Sequence, residues 1–81
     1  MEAASGGKQA WWQKYSDKPP KFAQDALVFW KGHEYDGIYL VKKAVYIGVP
    51  KQGIWAYDIQ DSRYSDSWEK KVPEISLYKA N

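Results

Sequence analysis

Residues 26–42 read ALVFWKGHEYDGIYLVK. Ala26 to Trp30 is a compact apolar run, Lys31–Gly32 interrupts it, and Ile38 to Lys42 is again rich in β-branched and aromatic residues. Two such runs around a glycine-containing break are the pattern of paired β-strands, with the second arm expected to start near Glu34. Neighbours on a strand point to opposite faces, so Val28 and one ring of the Phe29–Trp30 pair should face inward. Gly32 is expected to take positive φ at the turn, where a side chain would crowd the backbone. Tyr35 would then pack across from the Trp30 strand.

Working outward toward the C-terminus, the β pattern continues. Val45 to Val49 adds β-branched residues and a Tyr before Pro50, and Gly53 precedes Ile54 to Ile59. Asp58, Asp61, Ser62, Ser65, Asp66 and Ser67 mark a polar loop interrupted by Trp68. Val72, Ile75 and Leu77 supply a last short strand around Pro73. Short strands at close spacing with Gly and Pro between them predict an all-β fold. The form expected is a small, bent antiparallel sheet or partly open barrel with an N-terminal arm.

Toward the N-terminus the composition changes near Phe22. Met1 to Gln9 is small and polar, with Gly6–Gly7, and reads as a flexible leader. Trp11, Trp12 and Tyr15 follow, and then Pro19–Pro20, which no helix crosses because two backbone donors are missing. A short helical turn over Gln9 to Tyr15 fits between these breaks. The expected organisation is a leader and aromatic docking arm over residues 1–21 and a small β domain over 22–81. Adjacent Trp side chains diverge, so at most one of Trp11 and Trp12 is expected to face the core, while the other caps an edge or inserts into a partner. Alternatively, the segment folds back over the barrel's open end.

Eighty-one residues make one domain with a thin core. Five Trp, seven Tyr and two Phe are more large rings than such a core buries, so some are expected to form a recognition surface. With no Cys and one His, neither a disulfide framework nor an ordinary metal site is expected, and no cofactor is called for. The net charge of +2 is patchy. Lys8, Lys14, Lys18 and Lys21 make the first segment positive, and Lys42, Lys43 and Lys51 form a second cluster. Asp58, Asp61, Asp66 and Glu69 outweigh Arg63 later on. No apolar stretch suits a signal peptide or a membrane span. The expected location is a virion, or the host cytoplasm during assembly, or outside the cell by a route without a classical signal peptide.

One spaced pattern carries a resemblance: Phe22-x-x-Asp25-x-x-Val28-x-Trp30-x-Gly32-x-x-Tyr35-x-Gly37. It is similar to the core of the small chitin- and cellulose-binding modules grouped as carbohydrate-binding families 5 and 12. Their usual form is Tyr-x-x-Gly-Asp-x-Val-x-Tyr-x-Gly-x-x-Tyr-x-Ala. Val28, Gly32 and Tyr35 match outright, and Phe22 and Trp30 keep aromatic character. Gly48-x-Pro50 and Trp68 with Val72 resemble later parts of the pattern, so the likeness spans Phe22 to Val72. Asp25 stands where these modules have Gly, Ala26 replaces their Asp, and Tyr39 is alone where they often carry an aromatic pair. The resemblance implies a small β-fold in which Phe22, Val28, Trp30, Gly32, Tyr35 and Trp68 are structural. It also implies glycan binding and, since similar modules recur in bacteriophage tail and fibre proteins, a place in such a particle.

Trp55 and Tyr57 sit two apart in a predicted strand and share a face, as do Tyr39 and Val41. Facing outward they would form a sugar platform; facing inward with Ile59 they would be the core, leaving Trp11, Trp12 and Tyr64 as surface rings. The carboxylates around Asp61 have the ordinary explanation of turn formation and solvation, and the domain is too shallow to raise a carboxylic acid's pKa by burial. The expectation is therefore a non-enzyme. The first reading is a structural or adaptor component of a phage tail or similar particle, with other proteins or copies of itself as partners and possible polysaccharide contact. An independent glycan-binding module and a single-stranded nucleic-acid-binding barrel are the alternatives.

Overall fold

The computed structural model describes residues 10–80. Among the described residues there are five strands: β1 (Leu27–Trp30), β2 (Tyr39–Ile47), β3 (Ile54–Asp61), β4 (Trp68–Pro73) and β5 (Leu77–Lys79). They form one antiparallel sheet in the order β4-β3-β2-β1-β5. The fold is thus all-β, and the sheet is not closed. Consecutive strands β4 and β5 lie at opposite edges, yet only the 3₁₀ turn Glu74–Ser76 joins them. A chain so short can span both edges only if the sheet curls strongly, and that curl makes a single core on its inner face.

The two β-rich runs Ile38–Lys42 and Val45–Val49 are one nine-residue strand, β2. Its lysine pair obscures the continuity, because β2 is bulged between Val41 and Lys43. The last strand expected around Pro73 is instead two, β4 and β5, with Pro73 closing the first and the 3₁₀ turn turning the corner. The arm expected near Glu34 is a 3₁₀ turn, Glu34–Asp36, not strand. After Gly32, whose φ is 83°, the chain turns twice before β2 begins. Tyr35 therefore does not pack across from Trp30; it sits on the turn and is 79% exposed.

Val28, Val41, Tyr57 and Ile59 are fully buried, joined by Phe22, Tyr39, Trp55, Val72 and Leu77. The register shows why: Tyr57 faces Ala44, Ile59 faces Val41, and Trp55 faces Tyr46 across the β2–β3 pair. Directly opposed residues point the same way, so one continuous stripe turns inward. The β2–β3 turn is equally specific. A Cβ on Gly53 would lie 2.0 Å from the Ile47 carbonyl oxygen, so only glycine fits. The Gly53 N–H donates to the Tyr46 hydroxyl at 2.7 Å.

Candidate functional site

Residues 10–21 lie across the inner side of the sheet. The first element is a 3₁₀ turn, Trp11–Lys14, which agrees with a helical turn confined between the leader and the prolines. Lys51, held at φ 70° in the β2–β3 turn, fastens this segment. Its N–H donates to the Tyr15 carbonyl (2.6 Å), and its ammonium donates to the Gln13 carbonyl (3.0 Å) and the Asp17 carboxylate (2.8 Å). The Trp55 indole N–H donates to the Lys18 carbonyl at 3.1 Å. Trp12 and Tyr15 pack on the core.

The result is a knot of rings around Trp55. Trp11, Tyr15 and Tyr46 meet it edge to face at 5.6, 6.2 and 5.1 Å, and Tyr15 stacks on Tyr46 at 5.6 Å. Edge-to-face pairs each add stabilisation beyond burial, about 0.5–1.5 kcal/mol. Beside the knot opens a groove of about 690 Å³, with Pro19, Tyr46, Trp55, Pro73 and the aliphatic side chains of Ile54 and Ile75 among its walls. Ile54 is 53% exposed and Ile75 is 79% exposed.

The one carboxylate lining this groove, Glu74, is already engaged. It accepts the Tyr57 hydroxyl and the Lys21 N–H (2.9 Å), while the same hydroxyl accepts the Phe22 N–H at 3.2 Å. Burial, and then the bond to Glu74, push the Tyr57 phenol well above its ordinary range. This chain of bonds ties the segment before β1 to the corner after β4. Its role is structural.

A second cluster occupies the β1–β2 connection. The Trp30 ring stacks on His33 at 3.8 Å and meets Tyr39 edge to face at 5.8 Å. Tyr35 stands 6.0 Å from His33. The Tyr39 hydroxyl donates to Asp36 at 3.0 Å, and burial together with that bond pushes its pKa up to about 12. Gly32 N–H and the Tyr78 hydroxyl both donate to Glu34, which holds the turn against β5.

The sequence left Tyr39, Trp55 and Tyr57 as candidates for an outward platform or, with Ile59, for the core face; the structure rules out the platform and places them in the core. All three are buried, because Ile59 and Val41 extend their stripe and the sheet curls toward it. Trp11 and Tyr64 are exposed and far apart in sequence, whereas Trp12 is partly covered. Phe22 and Val28 are core residues. Trp68, assigned a structural role, is exposed at the start of the edge strand β4, its indole N–H bonded to the Ser65 carbonyl at 2.9 Å. Tyr15, Tyr46, Ile54 and Ile75 were not singled out as site residues. Pro19 and Pro73 flank the groove, but no local pattern brings them together.

The carboxylates of the loop have separate tasks. Arg63 grips Asp61 through two side-chain nitrogens (3.0 and 3.1 Å), and this bond holds the Asp61 carboxyl below its usual range. Asp58 accepts the Lys71 N–H at 3.1 Å, where the β3–β4 register shifts between Tyr57 and Ile59 and Lys71 has φ 58°. Among the described residues no three His, Cys, Asp or Glu side chains gather as metal ligands, and no helix is long and apolar enough to cross a membrane. Comparison with known protein families, curated proteins and solved structures found no match.

Proposed function

We propose that this chain is a non-catalytic adaptor that assembles with copies of itself through the groove beside Trp55, as a component of a multiprotein particle such as a phage tail. The observation that carries this reading is the pairing of Ile54 and Ile75. Scattered exposed aliphatics are ordinary, but these two line one groove together with Pro19, Pro73 and two rings. A concave apolar surface with a polar rim is the anatomy of a protein interface. Lys18 and Lys21 supply the rim, and Glu74 is occupied by structural bonds, which leaves recognition but no acid–base pair.

Sedimentation over a wide concentration range tests the proposal. The wild-type chain should associate as concentration rises. Ile54→Asp and Ile75→Asp, both at exposed positions, should weaken association by tenfold or more on the order of a hot-spot loss, with little change in melting. A chain monomeric at every concentration, or association indifferent to both substitutions, would contradict it.

One observation favours a second reading, glycan binding. The stacked Trp30–His33 pair with the exposed Tyr35 beside it joins two residues of the carbohydrate-binding resemblance on one connection. Titration calorimetry with chito- and cello-oligomers should then give weak, salt-insensitive heats that vanish in Tyr35→Ala. Heats retained in that variant would place the sugar elsewhere.

A further inference from the structure

The groove beside Trp55 shares Pro19 and Lys21 with another of about 690 Å³, walled by Trp11, Trp12, Phe22 and the Lys42–Ala44 stretch of β2. A smaller hollow of about 390 Å³ shares Trp11, Lys43 and Ala44 with it and reaches Lys14 and Tyr46. Lys14, Lys21, Lys42 and Lys43 line the two hollows, and no Asp or Glu does. For a chain with 12 basic and 10 acidic residues, that is a marked local imbalance.

The bulge in β2 produces it. Successive residues of a regular strand point to opposite faces, which would send Lys42 and Lys43 apart. An extra residue at a bulge re-aims a side chain, and here both lysines border the same groove. Asp25 lies 3.7 Å from Lys42 and offsets part of its charge, and Asp58 is the register partner of Lys43 across β3. Lys14, Lys21 and Lys43 have no acidic side chain at ion-pair distance among the described residues. The acidic stretch from Asp58 to Glu69, which would repel a polyanion, contributes no wall here: Asp58, Asp61, Asp66 and Glu69 line neither hollow.

A ring completes the surface. Trp11 is 58% exposed yet held by its edge-to-face contact with Trp55, so it is ordered before any ligand arrives. Lysines alone would suit any anionic chain. Lysines flanking an ordered, open indole suit one that alternates charge with flat rings.

We propose that this groove binds single-stranded nucleic acid, with a base stacked on Trp11 and phosphates met by Lys14, Lys21, Lys42 and Lys43. The site adjoins the Ile54–Ile75 groove through Pro19 and Lys21, but Ile75 lines only the latter, so Ile75→Asp leaves the nucleic-acid surface intact. The test is fluorescence anisotropy of a labelled oligothymidylate titrated with the full chain at several salt concentrations. For three or four neutralised phosphates, log affinity should fall against log salt with a slope between about −2 and −3, and Lys14→Gln or Lys43→Gln should each reduce the slope by about 0.7. Trp11→Ala should weaken binding about 5- to 150-fold without changing the slope, and Trp11→Phe should recover much of the loss. Absence of binding, a slope unmoved by the lysine variants, or equal competition by an oligoglutamate of the same length would overturn the proposal; the last outcome would make the groove a general acidic-chain site.

Discussion

Two sets of rings differ by what carries them. Tyr39, Trp55 and Tyr57 stand on the central strands β2 and β3 and are buried; Trp11, Tyr35 and Tyr64 stand on turns and loops and are open to water. Central strands of a curled sheet have their inner face covered by their own neighbours, so rings there become core whatever their polarity. Turns have no second layer above them. The polar atoms of the buried set confirm the assignment: Tyr57 bonds Glu74, Tyr39 bonds Asp36, and Trp55 bonds the Lys18 carbonyl. Among the described residues no buried side-chain polar atom lacks a partner. Trp68 and Phe22 mark the limits of the rule: Trp68 lies on a strand but at an edge and is exposed, while Phe22 lies outside the strands and is buried edge to face against Tyr57.

The largest effect contrasts the packed turn that joins the two central strands with the open turn after β1, and glycine probes both. Gly53 sits where the ends of β2 and β3 converge, and a side chain there would run into Ile47 backbone. Gly53→Val should cost more than about 3 kcal/mol, at the upper end of overpacking effects. Gly32, on the open turn, has nothing within 4 Å of a built Cβ and is constrained only by its φ of 83°. Gly32→Ala should cost only about 1–2 kcal/mol, the strain of left-handed backbone. Denaturant midpoints of the two variants measure both; equal losses would mean that the two regions are built alike.

A smaller effect sharpens the comparison through pH. Burial, and then hydrogen bonding, raise the Tyr39 pKa from 10.0 to about 12. A raised folded-state pKa gives stability that is full below 10.0 and declines as pH climbs toward about 12, because the unfolded chain ionises first. Tyr39→Phe should therefore flatten this part of the alkaline limb in a pH series of melting curves.

Much of the sheet was legible in local sequence. The Trp55–Tyr57–Ile59 stripe, the turn at Gly32, the core position Val28 and the break at Pro19–Pro20 follow from alternation and composition, while a structural role for Phe22 is what the resemblance implied. What was not legible depends on pairing between distant residues. The β2 bulge is defined only against β3, so Lys42–Lys43 reads in sequence as a gap between two strands. The corner at Glu74–Ser76 reads as strand because Val72, Ile75 and Leu77 keep an apolar pattern, and only the separation of β4 from β5 across the sheet reveals the turn. Tyr35 was misplaced because the second arm was expected to start near Glu34, whereas Glu34–Asp36 is a 3₁₀ turn and the chain rejoins the sheet only at Tyr39. The groove joins Pro19, Ile54 and Ile75, whose common neighbourhood no local pattern encodes. Asp25 holds φ 69° at the position where the resembling modules carry Gly, a conformation that Asp tolerates better than most residues.

The most direct measurement of the division between strand-borne and turn-borne rings is equilibrium denaturation of Trp55→Ala and Tyr35→Ala side by side. Trp55→Ala should lose about 3–5 kcal/mol, the usual result of emptying a buried aromatic site, and should release the segment before β1 that its indole holds. Tyr35→Ala should stay within about 0.5 kcal/mol of the wild type. Comparable losses in the two variants, or a larger one for Tyr35→Ala, would contradict the account.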